Sequence, residues 1–209
     1  MASNNDQDHR QAMIFDVGGV LLDWNPRHLY RKFFNGDHEG MERFLREIDF
    51  NNWNLHQDAG RPFSEAVALL SAEHPQWAEL IQAYHSRWEE TILGPIQGSL
   101  EILAELRQSG YPLYALSNFS IEKFALVQNR YDFFSWFEHI LLSAQVQLAK
   151  PDPKIFQVFL EQIEQEAGQC LLIDDSGPNI ETARQLGFDV IHFQSSGQLR
   201  AELNQRGIL

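Results

Sequence analysis

The feature that most constrains this chain is a series of short apolar runs, each ending in small or polar residues. Ala12 to Val17 is broken by Gly18-Gly19, and Pro112 to Leu116 ends at Ser117-Asn118. His139 to Leu142 stops at Ser143, Cys170 to Ile173 at Asp174-Asp175, and Asp189 to Phe193 at Gln194-Ser195. Runs of this length between turn formers are the pattern of strands buried on both faces. Between them apolar residues recur at helical spacing. Leu100, Leu103 and Leu106 share a face ahead of Gly110. Ile155, Phe156, Phe159, Leu160 and Ile163 form a second stripe. Ile180, Ala183 and Leu186 form a third, ahead of Gly187. A glycine just beyond such a stripe can close the helix in the left-handed conformation. Strands alternating with helices imply βα units and a parallel sheet covered on both sides, an α/β, doubly wound, Rossmann-like core.

The stretch 25–94 interrupts that alternation. Leu29 and Phe33, then Phe44, Leu45 and Ile48, then Val67 and Leu70, then Leu80, Ile81, Tyr84 and Trp88 all recur at helical spacing, and no strand is expected among them. The spacing predicts an all-helical insertion after the first strand, of the size that forms a small bundle. The expected division is a disordered polar tail over 1–11, an α/β core over 12–24 and 95–209, and a helical cap over 25–94. Leu22 to Pro26 and Ile92 to Gly98 serve as the two linkers. A chain of 209 residues is long enough for one substantial core with an accessory unit.

The formal net charge of −13 sets limits on partners. So acidic a surface repels nucleic acid and anionic lipid, so neither is an expected partner. No apolar stretch approaches the length of a membrane span, and the start of the chain lacks the apolar region of a signal peptide. Cys170 is the only cysteine, which rules out an internal disulfide and a cysteine-bound metal and fits a reducing, cytoplasmic setting. A small anionic ligand would need a locally positive pocket, supplied by a metal ion, a lysine or helix N-termini.

In open α/β sheets, ligands sit at the carboxyl ends of the strands. Asp16, Ser117-Asn118 and Asp174-Asp175 occupy three such ends, and Lys150 follows the third expected strand. Singly each has an ordinary explanation. An aspartate after a strand makes a turn, Ser-Asn caps a helix, Lys-Pro lies in a surface loop, and paired aspartates favour a helix N-terminus. Together on one rim they gather acids, a hydroxyl and a cation.

That set resembles the haloacid dehalogenase superfamily. Phe15-Asp16-Val17-Gly18-Gly19-Val20-Leu21 is similar to its first motif, and Ser117 after Leu113-Tyr114-Ala115-Leu116 to its second. Lys150-Pro151-Asp152-Pro153 is similar to the third, and Leu172-Ile173-Asp174-Asp175-Ser176 followed by Asn179-Ile180 to the fourth. The motifs stand in the family's order over nearly the whole chain, with a helical insertion where C1-type members carry a cap. The resemblance implies a magnesium-dependent phosphatase acting on a small phosphorylated metabolite, as a monomer or small homo-oligomer. Asp16 would attack phosphorus and form an aspartyl-phosphate. Mg2+ would be held by Asp16, Asp175 and the Gly18 carbonyl, with Asp174 adjacent or acting through water. Ser117 and Asn118 would hold phosphate oxygens, and Lys150 would pair with Asp16 and the phosphate. Trp24, in the first linker, is the leading pocket residue, with Trp53, His56, Gln57 and Trp88 as further candidates.

One position departs from the phosphatase pattern. The second aspartate, two residues after the nucleophile, protonates the leaving alcohol, and here that position is Gly18. General acid-base help is typically worth about 10²–10⁴ in rate. Three consequences stand side by side: slow turnover of alkyl phosphates, preference for easier leaving groups such as sugar 1-phosphates, or a substitute among Asp23, His56 and Asp58. The sugar-1-phosphate phosphatase branch of the superfamily also carries glycine there. Two rival functions remain open. A 2-haloacid dehalogenase would use the same aspartate without metal, although Asp174-Asp175 favour metal and phosphate. A weakly active or non-catalytic protein could retain the fold, although several buried like charges would then be costly.

Overall fold

A computed structural model of the chain describes residues 10–209, so the tail expected over 1–11 lies, through residue 9, outside the described residues. The strands are β1 (Ala12–Phe15), β2 (Leu22–Trp24), β3 (Ile92–Pro95), β4 (Leu113–Ser117), β5 (His139–Leu142), β6 (Cys170–Asp174) and β7 (Asp189–His192). The helices between β2 and β3 are α1 (Pro26–Phe34), α2 (His38–Glu47), α3 (Phe50–Asp58), α4 (Phe63–Glu73) and α5 (Ala78–Ser86). Those that follow are α6 (Gln97–Gln108), α7 (Ile121–Val127), α8 (Ser143–Val146), α9 (Pro153–Ile163), α10 (Gly177–Gln185) and α11 (Ser196–Gln205).

Five strands form one parallel sheet in the order β5-β4-β1-β6-β7. The chain therefore builds outward from β1 on one side and then crosses to the other. β1 lies at the switch point, where neighbouring connections diverge and leave a crevice beyond its carboxyl end. The sheet core is apolar because both faces are covered. Met13 and Phe15 enter one cluster with Leu103, Leu106 and Leu199, while Ala12 and Ile14 enter the other with Phe156, Phe159 and Ala183. This is the physical reason that the strand reads as an unbroken apolar run rather than an alternating one. Gly110 and Gly187 follow α6 and α10 with φ of 74° and 93°, as the expected helix closures require.

Ile92 to Gly94 correct the expectation of no strand before residue 95. They belong to β3, which pairs antiparallel with β2, Leu22 opposite Pro95 and Trp24 opposite Ile92. The two linkers thus form a single two-stranded ribbon. The strand was hidden because it is short and contains glycine and proline, which are depleted in strands. Beyond the ribbon, α1 to α5 pack around an aromatic centre in which Tyr30, Phe44, Phe50, Trp53, Phe63 and Tyr84 meet edge-on or tilted. Asn25 caps α1 through the Arg27 N–H at 3.0 Å, and Pro26 opens that helix.

These helices sit over the sheet's carboxyl edge through several direct bonds. Lys123 Nζ of α7 donates to the His85 carbonyl of α5 at 2.9 Å, and the Ser143 hydroxyl donates to the Asp58 carbonyl. Trp88 packs against Phe119 with ring centroids 5.6 Å apart. Among the described residues no helix is long and apolar enough to cross a membrane.

Phe15 has no exposed surface and packs its ring 6.5 Å from that of Phe137. Phe15→Ala is expected to cost about 3–5 kcal/mol, read as a lower urea midpoint at unchanged slope.

Candidate active site

The acids and Ser117 are placed by the ends of strands or the turns after them, and Lys150 by the turn between α8 and α9. Asp16 follows β1 and donates its N–H to Ile173 O of β6 at 2.9 Å, which fixes the turn over the sheet edge. Its carboxyl Oδ1 accepts from the Val17 N–H and from the Ser117 hydroxyl of β4, both at 2.7 Å. Its Oδ2 lies 3.2 Å from Lys150 Nζ. Lys150 is 1% exposed; its ammonium also donates to Asp174 Oδ2 at 2.6 Å and to Leu116 O at 2.7 Å. Every ammonium donor is therefore matched, as burial of a charge demands.

Asp174 is fully buried, and both of its oxygens are used. Besides Lys150, Oδ1 accepts the Ser176 N–H at 2.8 Å, and Asn179 Nδ2 lies 3.0 and 3.1 Å from the two oxygens. Asp175 is the more open acid, and its carboxylate rests against Gly19. Asp16, Asp174 and Asp175 each bring an oxygen within 4.8 Å of the others, so three carboxylates share a site with one ammonium. That donor set fits a hard cation bound by oxygen.

The electrostatics follow from this crowding. Burial pushes the Asp16 carboxyl up to about 7; Lys150 and the Ser117 hydroxyl oppose the rise, while Asp174 and Asp175 add to it. Asp175 is raised by burial and then by Asp174. Burial alone would lower Lys150, but Asp16 and Asp174 more than reverse this and leave it raised.

Gly18 and Gly19 differ in kind. Gly19 has φ of 78°, and a Cβ there would overlap the Asp175 carboxylate, so only glycine fits. Gly18 has no such constraint: an added Cβ would meet nothing nearer than Trp24 Cβ at 4.0 Å. Its missing side chain leaves space beside Asp16.

A cavity of about 730 Å³ opens above this cluster, between the strand ends and α1, α3, α4 and α5. Trp24 and Trp88 line it as expected. Trp53 and Gln57 do not: Trp53 donates to Ala66 O at 3.3 Å inside the helical unit, and Gln57 bonds to the Trp53 carbonyl. His56 is exposed on a separate surface hollow with Glu47 and His74. Asp23 is outside the cavity lining and pairs with His28 at 3.0 Å. Of the expected substitutes for the missing acid, only Asp58 faces the cavity. Asn118 lines the cavity, and its amide also accepts the Lys150 N–H and donates to Lys150 O, both at 2.8 Å, so it orients the lysine loop as well.

Several lining residues carry no motif signal. Phe63, Tyr84 and Phe119 read as helix or turn aromatics, and Lys123 as a surface charge; Lys123 is in fact 5% exposed, with its ammonium 4.5 Å from the Phe63 ring centre. Only the recurrence of Asn51, Asn54, Leu55 and Asp58 on one face of α3 could have pointed to that helix.

The fold and the acid cluster define an α/β enzyme built around a buried carboxylate and lysine at the switch point of a parallel sheet. The profile of the haloacid dehalogenase-like hydrolases matches residues 11–187, and the chain belongs to that family. It is similar to the sesquiterpene phosphatase astK of Aspergillus oryzae, 27% identical over 93% of this chain and 95% of that one. It is also similar to a phosphorylated carbohydrates phosphatase of Thermotoga maritima, 23% identical over 92% of this chain and 90% of the other. Among solved structures, a HAD family enzyme of Bacteroides thetaiotaomicron in a magnesium complex shares the fold. Its TM-score is 0.71 at 21% identity, over 94% of this chain and 99% of that one.

The raised Asp16 carboxyl has a consequence for stability. Between the unfolded value of 3.8 and the folded value of about 7, the native state holds the proton more tightly. Stability therefore falls as pH rises through that window and is level above it. Asp16→Asn removes the penalty. Without divalent ion, its Tm is expected to exceed that of the unaltered protein by a few degrees near pH 8, on the order of 1–4 kcal/mol, with the gap closing toward pH 5. Calorimetric scans across that range check the sign.

Proposed function

We propose that this protein is a magnesium-dependent hydrolase of small phosphate monoesters, with Asp16 as the nucleophile. The observation that carries this reading is the concentration of three carboxylates around one lysine at the floor of an open cavity. Excess buried negative charge calls for a cation, and a cation beside a nucleophilic carboxylate suits an anionic substrate. Asp16, Asp175 and the Gly18 carbonyl would hold the ion. Asp174, its oxygens already engaged, serves by fixing Lys150. Bound magnesium supplies the charge neutralisation that lets a carboxylate approach a phosphate.

The chain's own residues do the rest. The Val17 N–H and the Ser117 hydroxyl hold Oδ1 of Asp16 while Lys150 lies 3.2 Å from Oδ2, so the carboxylate is oriented before substrate enters. The Lys150 charge offsets the negative charge that builds on the phosphoryl oxygens as Asp16 attacks. The product of that attack is an aspartyl-phosphate, later hydrolysed by water. The helical unit acts as a cap, keeping bulk solvent from the site and contacting the alcohol part of the substrate.

The cavity wall speaks to that alcohol. Trp24, Leu55, Phe63, Tyr84, Trp88 and Phe119 make it mainly aromatic and apolar. This suits an organic phosphate with an apolar or flat body, the kind of substrate named for the sesquiterpene phosphatase relative. A sugar 1-phosphate remains in the substrate panel because its hemiacetal oxygen leaves more readily than an alkoxide.

Phosphate release is expected from a panel of terpenyl, aryl and sugar 1-phosphates with millimolar magnesium, and none after EDTA or with Asp16→Asn. Magnesium-independent release of halide from 2-chloropropionate would instead identify a dehalogenase. Gly19→Ala displaces the Asp175 carboxylate, so its magnesium affinity by titration calorimetry is expected to drop about 10–100-fold. Unchanged affinity would remove Asp175 from the ion's ligands.

A further inference from the structure

We propose that Asp58 is the proton donor and acceptor of the site, carried by the helical unit and filling the role for which Gly18 has no side chain. This assignment rests on the phosphate-ester reading above. Cleaving an alkyl phosphate requires a proton for the departing oxygen, and hydrolysing the acyl phosphate requires a base for water.

The other titratable side chains lining the cavity are committed elsewhere. Asp16 attacks, and Asp175 faces the cation. Lys150 is bonded to Asp16, Asp174 and Leu116 O. Arg27 forms a two-pronged pair with Glu42 at 2.5 and 2.8 Å and keeps its proton at any working pH. Lys123 is tied to the ring and carbonyl of His85 at 3.0 and 2.9 Å. The Tyr84 hydroxyl donates to Asn54 at 2.8 Å, and burial raises it far above neutrality.

Asp58 is held for the task from both sides. The Tyr84 hydroxyl orients the Asn54 amide, which donates to Asp58 Oδ2 at 2.8 Å. The main chain of Asp58 is fixed to the sheet domain, because the Ser143 hydroxyl donates to its carbonyl while accepting the Phe119 N–H at 2.9 Å. The carboxyl is thereby seated at the strand ends although it belongs to α3. The charged and titratable groups that face it are Asp16, just beyond β1, and Tyr84 of α5. Burial first, and then Asp16, lift its carboxyl well above the ordinary range against the opposing Ser120 N–H.

The steps balance. An Asp16 oxygen bonds to phosphorus as the bond to the alcohol oxygen breaks, and the Asp58 proton passes to that oxygen. The Asp58 carboxylate then takes a proton from water. The water oxygen bonds to phosphorus, the bond to Asp16 breaks, and inorganic phosphate leaves with both aspartates restored.

Asp58→Asn keeps the shape and the Asn54 contact while removing the proton. With p-nitrophenyl phosphate, whose leaving group needs no acid, the variant is expected to release a burst near one equivalent of nitrophenol. Turnover should then slow by about 10²–10⁴-fold, with aspartyl-phosphate detectable on Asp16. With an alkyl phosphate the burst should vanish. Gly18→Asp placed in the Asp58→Asn background should restore alkyl phosphate turnover by at least tenfold, since the space beside Asp16 accepts a side chain. Wild-type-like steady rates in Asp58→Asn on both substrates would overturn the proposal. So would loss of the burst with p-nitrophenyl phosphate without rescue by Gly18→Asp, which would mark Asp58 as merely structural. If the unaltered protein hydrolyses no phosphate ester at all, the phosphatase reading itself fails, and this assignment fails with it.

Discussion

The buried ammonium of Lys150 is the interaction on which the site's geometry depends. It lies between Asp16 and Asp174, deep in the protein, with a main-chain carbonyl as its third acceptor. A buried ion pair of this kind contributes little net stability, because removing both charges from water is costly. Its value is positional. Loss of the lysine would leave Asp16, Asp174 and Asp175 to repel one another across less than 5 Å, as the 4.8 Å limit on their oxygens implies. Even with it, the cluster carries excess negative charge. An oxygen-bound cation would offset that excess.

Topology supplies the convergence that sequence distance conceals. Asp16 and Asp174 are far apart along the chain, yet β1 and β6 are neighbours in register, Phe15 beside Ile173. Ser117 arrives from the strand on the opposite side of β1. Asn118 then reaches across to the main chain of Lys150 and sets where the lysine enters. Asp16, Ser117 and Asp174 are thus positioned at strand ends, and the loop that carries Lys150 is held to them by the Asn118 amide, which orients the constellation before any ligand arrives.

The strands and their polar ends were legible because burial on both faces leaves no alternative to an apolar run and a polar stop. The roles of individual side chains beyond the motifs were not. α3 is polar on more than one face: Asn54 and Asp58 turn to the cavity, Gln57 into the helical unit and His56 outward. Residues of similar chemistry one position apart therefore have unrelated surroundings. Only the packing of α3 against its neighbours, a tertiary fact, separates them. Asn118 shows the same limit: it lines the cavity from its place after β4, while its amide also bonds a loop whose proximity no local pattern announces. β3 was missed because a two-stranded ribbon needs no long apolar run.

The contrast between adjacent glycines ties these observations together. Gly19 is forced by its backbone angle and by the Asp175 carboxylate beside it, whereas Gly18 sits in ordinary backbone with room for a side chain. Steric need therefore explains one glycine and not the other. A phosphatase that carries its acid next to its nucleophile has both groups on one rigid turn. With the acid on α3, the nucleophile and proton source lie on separate structural units joined by a two-stranded ribbon and by contacts such as Ser143 to Asp58. Proton transfer then depends on the helical unit being seated. A misplaced or absent substrate body, unable to stabilise that seating through the aromatic wall, would leave Asp16 without its partner. Such an arrangement makes recognition of the alcohol part a condition of the chemistry rather than a separate step.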